Sequence, residues 1–161
     1  MIDVRFATAL QVMLSLALAQ AEEIEWLSSS TLASGVGANP SLVRKLVVPL
    51  VQSGLVDSAH GREGGLRLGR PAKEIMLCEI YIAINGSKGV WTGRSDIPHQ
   101  CLVSSNIEEF FRELDCEASR AVLGTLEGRN LADSLGRLRH LDAEARSKKS
   151  IRRSNSYTDS R

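Results

Sequence analysis

The chain has 161 residues, of which 43% are apolar, 24% are charged and 4% are aromatic. These proportions are ordinary for a globular protein and provide one core of mainly aliphatic side chains. The longest apolar stretch, Phe6 to Ala19, contains polar residues and is too short to span a bilayer, and no secretory leader is recognisable. The three irregularly spaced cysteines do not form a disulfide framework. We therefore expect a cytoplasmic protein that does not contact a membrane.

The net charge of +1 conceals three segments of different sign. Residues 37–73 contain six basic and two acidic side chains, a net charge of +4. Residues 106–127 contain two basic and six acidic side chains, a net charge of −4. Residues 142–161 have a net charge of +3. Because salt screens charges beyond about 10 Å, a polyanion responds to the local charge rather than to the total. The basic segment is therefore a candidate surface for a polyanion.

The first half of the chain predicts a helix-turn-helix. Apolar residues at spacings of three and four indicate a helix over residues 3–21. The serines that begin at Ser28 offer caps for a short second helix, which is ended by glycines. Asn39 and Pro40 are typical of the cap and first turn of a third helix, which Gly54 ends. The second and third helices, joined by a tight glycine-containing turn, form the predicted motif.

Pro49 lies inside the third predicted helix. A proline in a helix interior removes one hydrogen bond and clashes with the preceding turn. We therefore expect a kink near Lys45 and Leu46, or an early end of the regular helix.

A hairpin and a further helix follow. Residues 55–58 and 66–68 are short β-prone runs, and residues 59–65 form a tip that contains three glycines. A hairpin that follows a helix-turn-helix is a wing. The pattern then predicts a buried helix over residues 75–84 and a loop over residues 86–100.

The strongest helical signal covers residues 106–127, where eight residues from Ile107 to Thr125 lie along one side of a helix. A weaker amphipathic segment covers residues 130–144. From residue 145 onward the chain is polar and basic, and we expect it to be disordered.

The candidate DNA contacts in the helix-turn-helix lie at the start of its second helix, where side chains of such motifs meet base edges in the major groove. These candidates are Asn39, Ser41, Arg44 and Lys45. Arg44 suits a bidentate pair with guanine, and Ser41 or Lys45 suits a phosphate. The alternative is that Arg44 and Lys45 form only a solvated helix face.

The candidate contacts on the wing are His60, Arg62 and Arg67. Their basic side chains suit a minor groove or the flanking phosphates. The turn, the helix, the hairpin and the local charge together favour DNA recognition over a solvated surface.

Seven motifs carry a family resemblance: Phe6 to Leu10, Leu32-Ala33, Asn39 to Lys45, Ser53 to Val56, Gly64 to Gly69, Cys101 to Val103 and Asn130 to Leu135. In this order they resemble the IscR/NsrR/CymR (Rrf-two) family of bacterial winged-helix repressors, over residues 1–136. The resemblance implies a homodimer in which the long helices over residues 106–127 pack together and two wings read a pseudo-palindromic operator.

The sequence departs from this family at two places. Many members have Arg-Gly at the wing where this chain has His60-Gly61, and Arg62 is the candidate substitute. Members that bind an iron–sulfur cluster have three closely spaced cysteines before the long helix, whereas this chain has only Cys101 there. We therefore expect no cofactor.

The cysteines differ in their surroundings. Cys101 precedes a helix N-terminus, whose dipole lowers a thiol pKa, so it is a candidate redox-sensing thiol; the alternative is a buried structural cysteine. Cys78 lies in an apolar segment and is expected in the core, whereas Cys116 is expected away from the apolar side of its helix. A further alternative is a [2Fe–2S] cluster between subunits, with His99, Cys101 and Cys116 as ligands.

These expectations give a mainly α fold with a small β-hairpin wing. Residues 1–75 form a winged helix-turn-helix domain, residues 76–144 a linker loop and dimerisation helices, and residues 145–161 a disordered basic tail. The expected function is DNA-binding transcriptional regulation, as a repressor, and not catalysis. The alternatives are a metal-dependent sensor with non-cysteine ligands and a winged-helix module that binds another protein.

Overall fold

The computed structural model describes residues 4–156 apart from residues 62, 63, 87, 92, 95, 97, 99 and 100, and for residues 150–156 it describes the backbone alone. The elements in chain order are α1 (Arg5–Ala21), α2 (Ser29–Gly35), α3 (Pro40–Gln52), β1 (Val56–Ala59), β2 (Gly65–Leu68), a 3-10 turn (Ala72–Glu74), α4 (Leu77–Asn85), α5 (Leu102–Glu127) and α6 (Leu131–Ser156). The fold is mainly α with a small wing, as the sequence predicts. Within the described residues, no helix combines the length and the apolar character that crossing a membrane requires.

The helix-turn-helix consists of α2 and α3, and local capping explains its boundaries. The Ser28 hydroxyl accepts the Thr31 N–H before α2, and the Asn39 side chain accepts the Ser41 N–H at 2.8 Å before α3. Gly37, with φ of +62°, lies in the turn, in a conformation that glycine adopts without strain. These signals are local, so the sequence predicts both helix starts to within one residue.

The early end that Pro49 predicts does not occur, because α3 continues to Gln52. Val47 and Leu50, on either side of the proline, are buried, and this packing holds the helix despite the missing hydrogen bond. The kink near Lys45 stays a prediction.

The wing is an antiparallel pair in which Val56 lies opposite Leu68 and Ala59 lies opposite Gly65. On its other edge, β2 pairs with Leu27 through two hydrogen bonds, of 2.8 and 3.0 Å, to Leu66. The wing is therefore fastened to the chain that links α1 to α2, and not only to the end of α3.

One core joins the elements, and α1 lies at its centre, packed against α2, α3, α4, α6 and β2. The core does not end at residue 75. Ile80 of α4 and Leu131 of α6 are fully buried in it, and the Leu131 N–H donates to the Ile75 carbonyl at 2.9 Å. The start of α6 therefore belongs to the same packed unit as the winged helix.

The two long helices differ from the rest of the fold. α5 contains no buried residue in its 26 residues. α6 continues to Ser156, so the predicted disorder is wrong for residues 145–156, where the backbone is helical. No proline or glycine interrupts this polar segment, which lets the helix propagate. Residues 157–161 lie outside the described residues.

An ion pair connects the end of the wing to α4. The Arg70 guanidinium donates to a Glu79 carboxylate oxygen at 2.5 Å, and the other oxygen accepts the Met76 N–H at 2.8 Å. Burial raises the pKa of Glu79, but the Met76 N–H and the Arg70 side chain outweigh burial, and the pKa lies below its ordinary value. Glu79 therefore caps α4 in its charged form while it holds the chain that leaves β2.

Candidate nucleic-acid interface

The exposed face of α3 carries the predicted contacts. Val43, Leu46, Val47 and Leu50 turn one side of the helix into the core. Ser41, Arg44 and Lys45 are exposed, at spacings that place them together on the opposite side. A buried apolar side and an exposed basic side in the second helix of the motif match the requirements of a helix that enters a major groove.

The charges on this face of α3 are not neutralised by any carboxylate that the structure describes. Among the described residues, no carboxylate forms an ion pair with Arg44 or Lys45. Asn39, in contrast, uses its side-chain oxygen to cap α3 and is exposed. Its structural role is therefore established, while its amide N–H groups remain available to a phosphate.

The predicted contacts on the wing differ in their exposure and in their neighbours. His60 is exposed at the end of β1, next to Gly61, whose φ of +108° suits glycine alone. Gly64 also needs to be a glycine, because a Cβ there would lie 2.3 Å from the Ala59 carbonyl oxygen. Arg62 lies outside the described residues.

Arg67 is held by three neighbours on the exposed side of the wing. Its Nε donates to an Asp57 carboxylate oxygen at 3.2 Å, and its Nη1 lies 3.7 Å from Glu25. The guanidinium also stacks on Trp26, 4.4 Å from the ring centroid. These contacts give Arg67 a role in orienting the wing. Sequence reasoning missed them because Trp26 and Glu25 are about forty residues away along the chain, and only the cross-strand pair with Asp57 follows from hairpin register.

Cys101 is the N-cap of α5 and is exposed. Its sulfur accepts from the Ser104 hydroxyl at 3.4 Å and from the Ser104 N–H at 3.5 Å. These bonds, first from the hydroxyl and then from the backbone N–H groups of Ser104 and Val103, lower the thiol pKa, and slight desolvation opposes them. The alternative of a buried structural cysteine is wrong for Cys101.

The segment before α5 lies against that helix roughly two to four turns beyond its first residue. The Trp91 N–H donates to an Asp115 carboxylate oxygen at 2.7 Å, and the Trp91 and Phe111 rings are 6.2 Å apart. Gly89 lies so close to Asp115 that a side chain there would overlap the carboxylate. The chain that leads to Cys101 is therefore anchored on α5.

The other two thiols are separate from Cys101. Cys116 is exposed and accepts from the Arg120 guanidinium at 3.2 Å, which agrees with its predicted place away from the apolar side of α5. Cys78 in α4 is only partly buried.

A family model described as "Rrf2: Iron-dependent Transcriptional regulator" matches residues 2–136. YwgB of Bacillus subtilis (strain 168), which carries the name of an HTH-type transcriptional regulator, is 34% identical over 68 residues, 42% of this chain and 44% of YwgB. The alignment therefore spans less than half the length of this relative.

Two solved structures share the fold. T. potens IscR matches with a TM-score of 0.59 and 22% identity, over 86% of this chain and 88% of that chain. CymR, titled the global cysteine regulator of B. subtilis, matches with a TM-score of 0.60 and 24% identity, over 84% of this chain and 96% of that chain.

The described donor groups near Cys101 do not by themselves fit the iron named in the family description. In the part of the chain that the structure describes, no three His, Cys, Asp or Glu side chains lie close enough to hold a metal ion. Cys101 and Cys116 are fifteen residues apart along one helix, about 22 Å by the helical rise, whereas a metal–sulfur bond is about 2.3 Å long. The two thiols of one chain therefore cannot bind the same cluster. His99, the third predicted ligand, lies outside the described residues.

The hydrogen bonds to Cys101 predict an unusually reactive thiol. In a chain with Cys78 and Cys116 replaced by serine, we expect the pH midpoint of iodoacetamide alkylation to lie below that of an ordinary cysteine thiol. Ser104→Ala removes the hydroxyl donor and should move the midpoint to higher pH. Ser105→Ala, one residue further along, is the matched control and should leave it unchanged. Equal midpoints for all three proteins would contradict this role of Ser104.

Proposed function

Because the chain belongs to the Rrf2 family of transcriptional regulators, we propose that it acts as a homodimeric repressor of a pseudo-palindromic operator, read through α3 and the wing. The observation that carries the proposal is the exposed basic face of α3, whose charges have no partner among the described residues. A DNA phosphate or base edge supplies that partner.

The roles proposed for the residues of α3 follow from their side chains. The guanidinium of Arg44 offers two parallel donors for the O6 and N7 atoms of guanine. The ammonium group of Lys45 and the hydroxyl of Ser41 suit phosphate oxygens, which position the helix without reading sequence. Asn39 contributes a phosphate contact through its amide while its oxygen caps α3.

On the wing, we propose direct DNA contacts for two residues and a mainly structural role for the third. His60 at the tip reaches toward the minor groove or the flanking phosphates, together with Arg62. Arg67 is already engaged by Asp57 and Trp26, so its main role is to orient the wing, and its charge adds to the field that a phosphate meets.

Dimerisation is proposed on the exposure of α5. Phe110 is 55% exposed and Leu114 is 39% exposed, although both lie on the apolar side that the sequence predicts for packing. Large apolar side chains along one side of a 26-residue helix with no buried residue favour a partner helix. The two-fold symmetry of such a dimer would match two operator half-sites.

The signal proposed is oxidation of Cys101. A peroxide converts the thiolate to a sulfenic acid and is itself reduced to water or an alcohol. The added oxygen changes the bonds that the sulfur accepts from Ser104 at the first turn of α5. The chain that leads to Cys101 is anchored on α5 further along the helix, where Trp91 contacts Asp115 and Phe111. A change at the first turn would therefore act on this connection and alter how the long helices meet.

Substitution of Arg44 tests the DNA-reading role. Arg44→Ala should weaken binding to a specific operator by about 1–3 kcal/mol and should have a much smaller effect on scrambled DNA. The measurement is fluorescence anisotropy with DNA from upstream of the protein's own gene. Arg137→Ala, an exposed arginine on α6 outside the helix-turn-helix and the wing, serves as the control. Equal losses on both DNAs would show that Arg44 contacts only phosphate.

Substitution of Phe110 tests the dimer. Phe110→Glu places a charge in the apolar side of α5 and should shift the protein toward monomers in analytical ultracentrifugation at micromolar concentration. Glu108→Ala, at an exposed polar position two residues earlier, should not. An unchanged mass for Phe110→Glu would exclude this side of α5 as the dimer contact.

The redox role of Cys101 is tested in the same anisotropy titration with reduced and peroxide-treated protein. Oxidation should change the operator affinity of the wild type, and Cys101→Ser should bind equally before and after treatment. Cys116→Ser should respond as the wild type does. A response to peroxide that persists in Cys101→Ser would show that a different residue is the sensor.

A further inference from the structure

We propose that a cleft between α1 and the wing binds a small organic amine with an apolar body. The cleft lies between the last turns of α1, residues 23–25 and the edge of β2, and its volume is about 400 Å³. This volume is within the range of small-molecule sites.

The floor of the cleft is apolar. Leu16 and Ala19 form it from α1, and Leu66 and Leu68 form it from β2; all four are buried. Contact with these side chains would remove an aromatic or branched aliphatic group from water, which is the main source of affinity in a pocket of this kind.

The wall formed by β2 presents an open strand edge. Leu66 uses its backbone N–H and carbonyl for the two bonds to Leu27. In an antiparallel ladder the backbone groups alternate in direction, so those of Leu68 point to the same side as those of Leu66. At Leu68 the strand partner is lost, and within the described residues no group bonds to its N–H or carbonyl. The cleft therefore offers one donor and one acceptor beside its apolar floor.

The charge around the cleft favours a cation. Glu23 and Glu25 line it, and Asp57 lies next to it on the wing, whereas Arg67 is the one positive group described at this place. Arg67 is committed to Asp57 and Trp26 and lies only loosely against Glu25, at 3.7 Å. Three carboxylates against one guanidinium leave a negative excess that an ammonium group can neutralise.

Glu23 occupies an unusual backbone position. Its φ is +59°, and the Ile24 N–H that follows it returns to the Ala19 carbonyl at 2.9 Å, a helix ending in which glycine is the usual residue. A glutamate is present there despite the conformational cost. This turn brings Glu23 to the cleft, which Glu25 also lines.

The test uses two probes of similar size and opposite charge. Tryptamine and indole-3-propionate share the indole body, and isothermal titration calorimetry of the reduced full-length chain measures their affinities without DNA. We expect saturable binding of tryptamine and at least about tenfold weaker binding of indole-3-propionate, because only the ammonium group pairs with the carboxylates. Since no operator is involved, failure here leaves the proposed function untouched.

The double substitution Glu23→Gln with Glu25→Gln locates the site. It keeps the size of both side chains and should weaken tryptamine binding about tenfold. Glu22→Gln, at the neighbouring glutamate that does not line this cleft, should leave the affinity unchanged. Circular dichroism verifies that each variant is folded. The proposal is overturned by absence of tryptamine binding, by equal binding of both probes, or by unchanged affinity in the double variant.

Discussion

The burial of α1 is the constraint on which the rest of the structure depends. Its apolar side packs against both helices of the helix-turn-helix, against α4 and α6, and against strand β2 of the wing. Val12 and Met13 at its centre are completely buried. Because α3 and the wing rest on the same helix, their relative position is set by close packing and not by the loop between them. A DNA-binding surface made from two distant segments requires this common support.

The long helix α5 in the second half of the chain, unlike α1, contains no buried residue. α5 packs against α4 but buries none of its own residues, and Phe110 and Leu114 on its apolar side are exposed. The winged helix therefore buries most of its large apolar side chains within one chain, whereas the long helix buries none. This division explains why a protein of ordinary composition carries both a complete core and a large unpartnered helix face. It also explains how a dimer could form without disturbing the proposed DNA-binding surface.

Local signals allowed much of the fold to be predicted, and non-local contacts account for what was missed. Asn39, Pro40 and Gly54 mark the bounds of α3 because capping and turn chemistry act within a few residues. α5 begins at Leu102, four residues before the predicted start, because Cys101 and Ser104 form a reciprocal cap that apolar periodicity does not reveal. The exposed basic face of α3 could be predicted in the same local way.

The neighbours of Arg67 could not be foreseen from the sequence. The strand register places Asp57 opposite it, but the stacking on Trp26 depends on the bridge between Leu27 and Leu66. That bridge joins segments almost forty residues apart, and no local pattern encodes it. The cleft beside β2 depends on the same bridge and could not be predicted from the sequence for the same reason.

The position of α4 limits how a change at Cys101 could reach the DNA-binding surface. Cys101 lies at the start of α5, and α4 packs against α5 on one side and against α1 and α3 on the others. The ion pair between Arg70 and Glu79 adds a second link, from α4 to the chain that leaves the wing. A rearrangement of α5 would therefore reach α3 and the wing through α4, which contacts α5 and α3 and is linked to the end of the wing by this ion pair. Densely packed helices transmit displacement instead of absorbing it. If the proposed sensor controls DNA binding, α4 is therefore the element whose position would have to differ between the reduced and the oxidised protein.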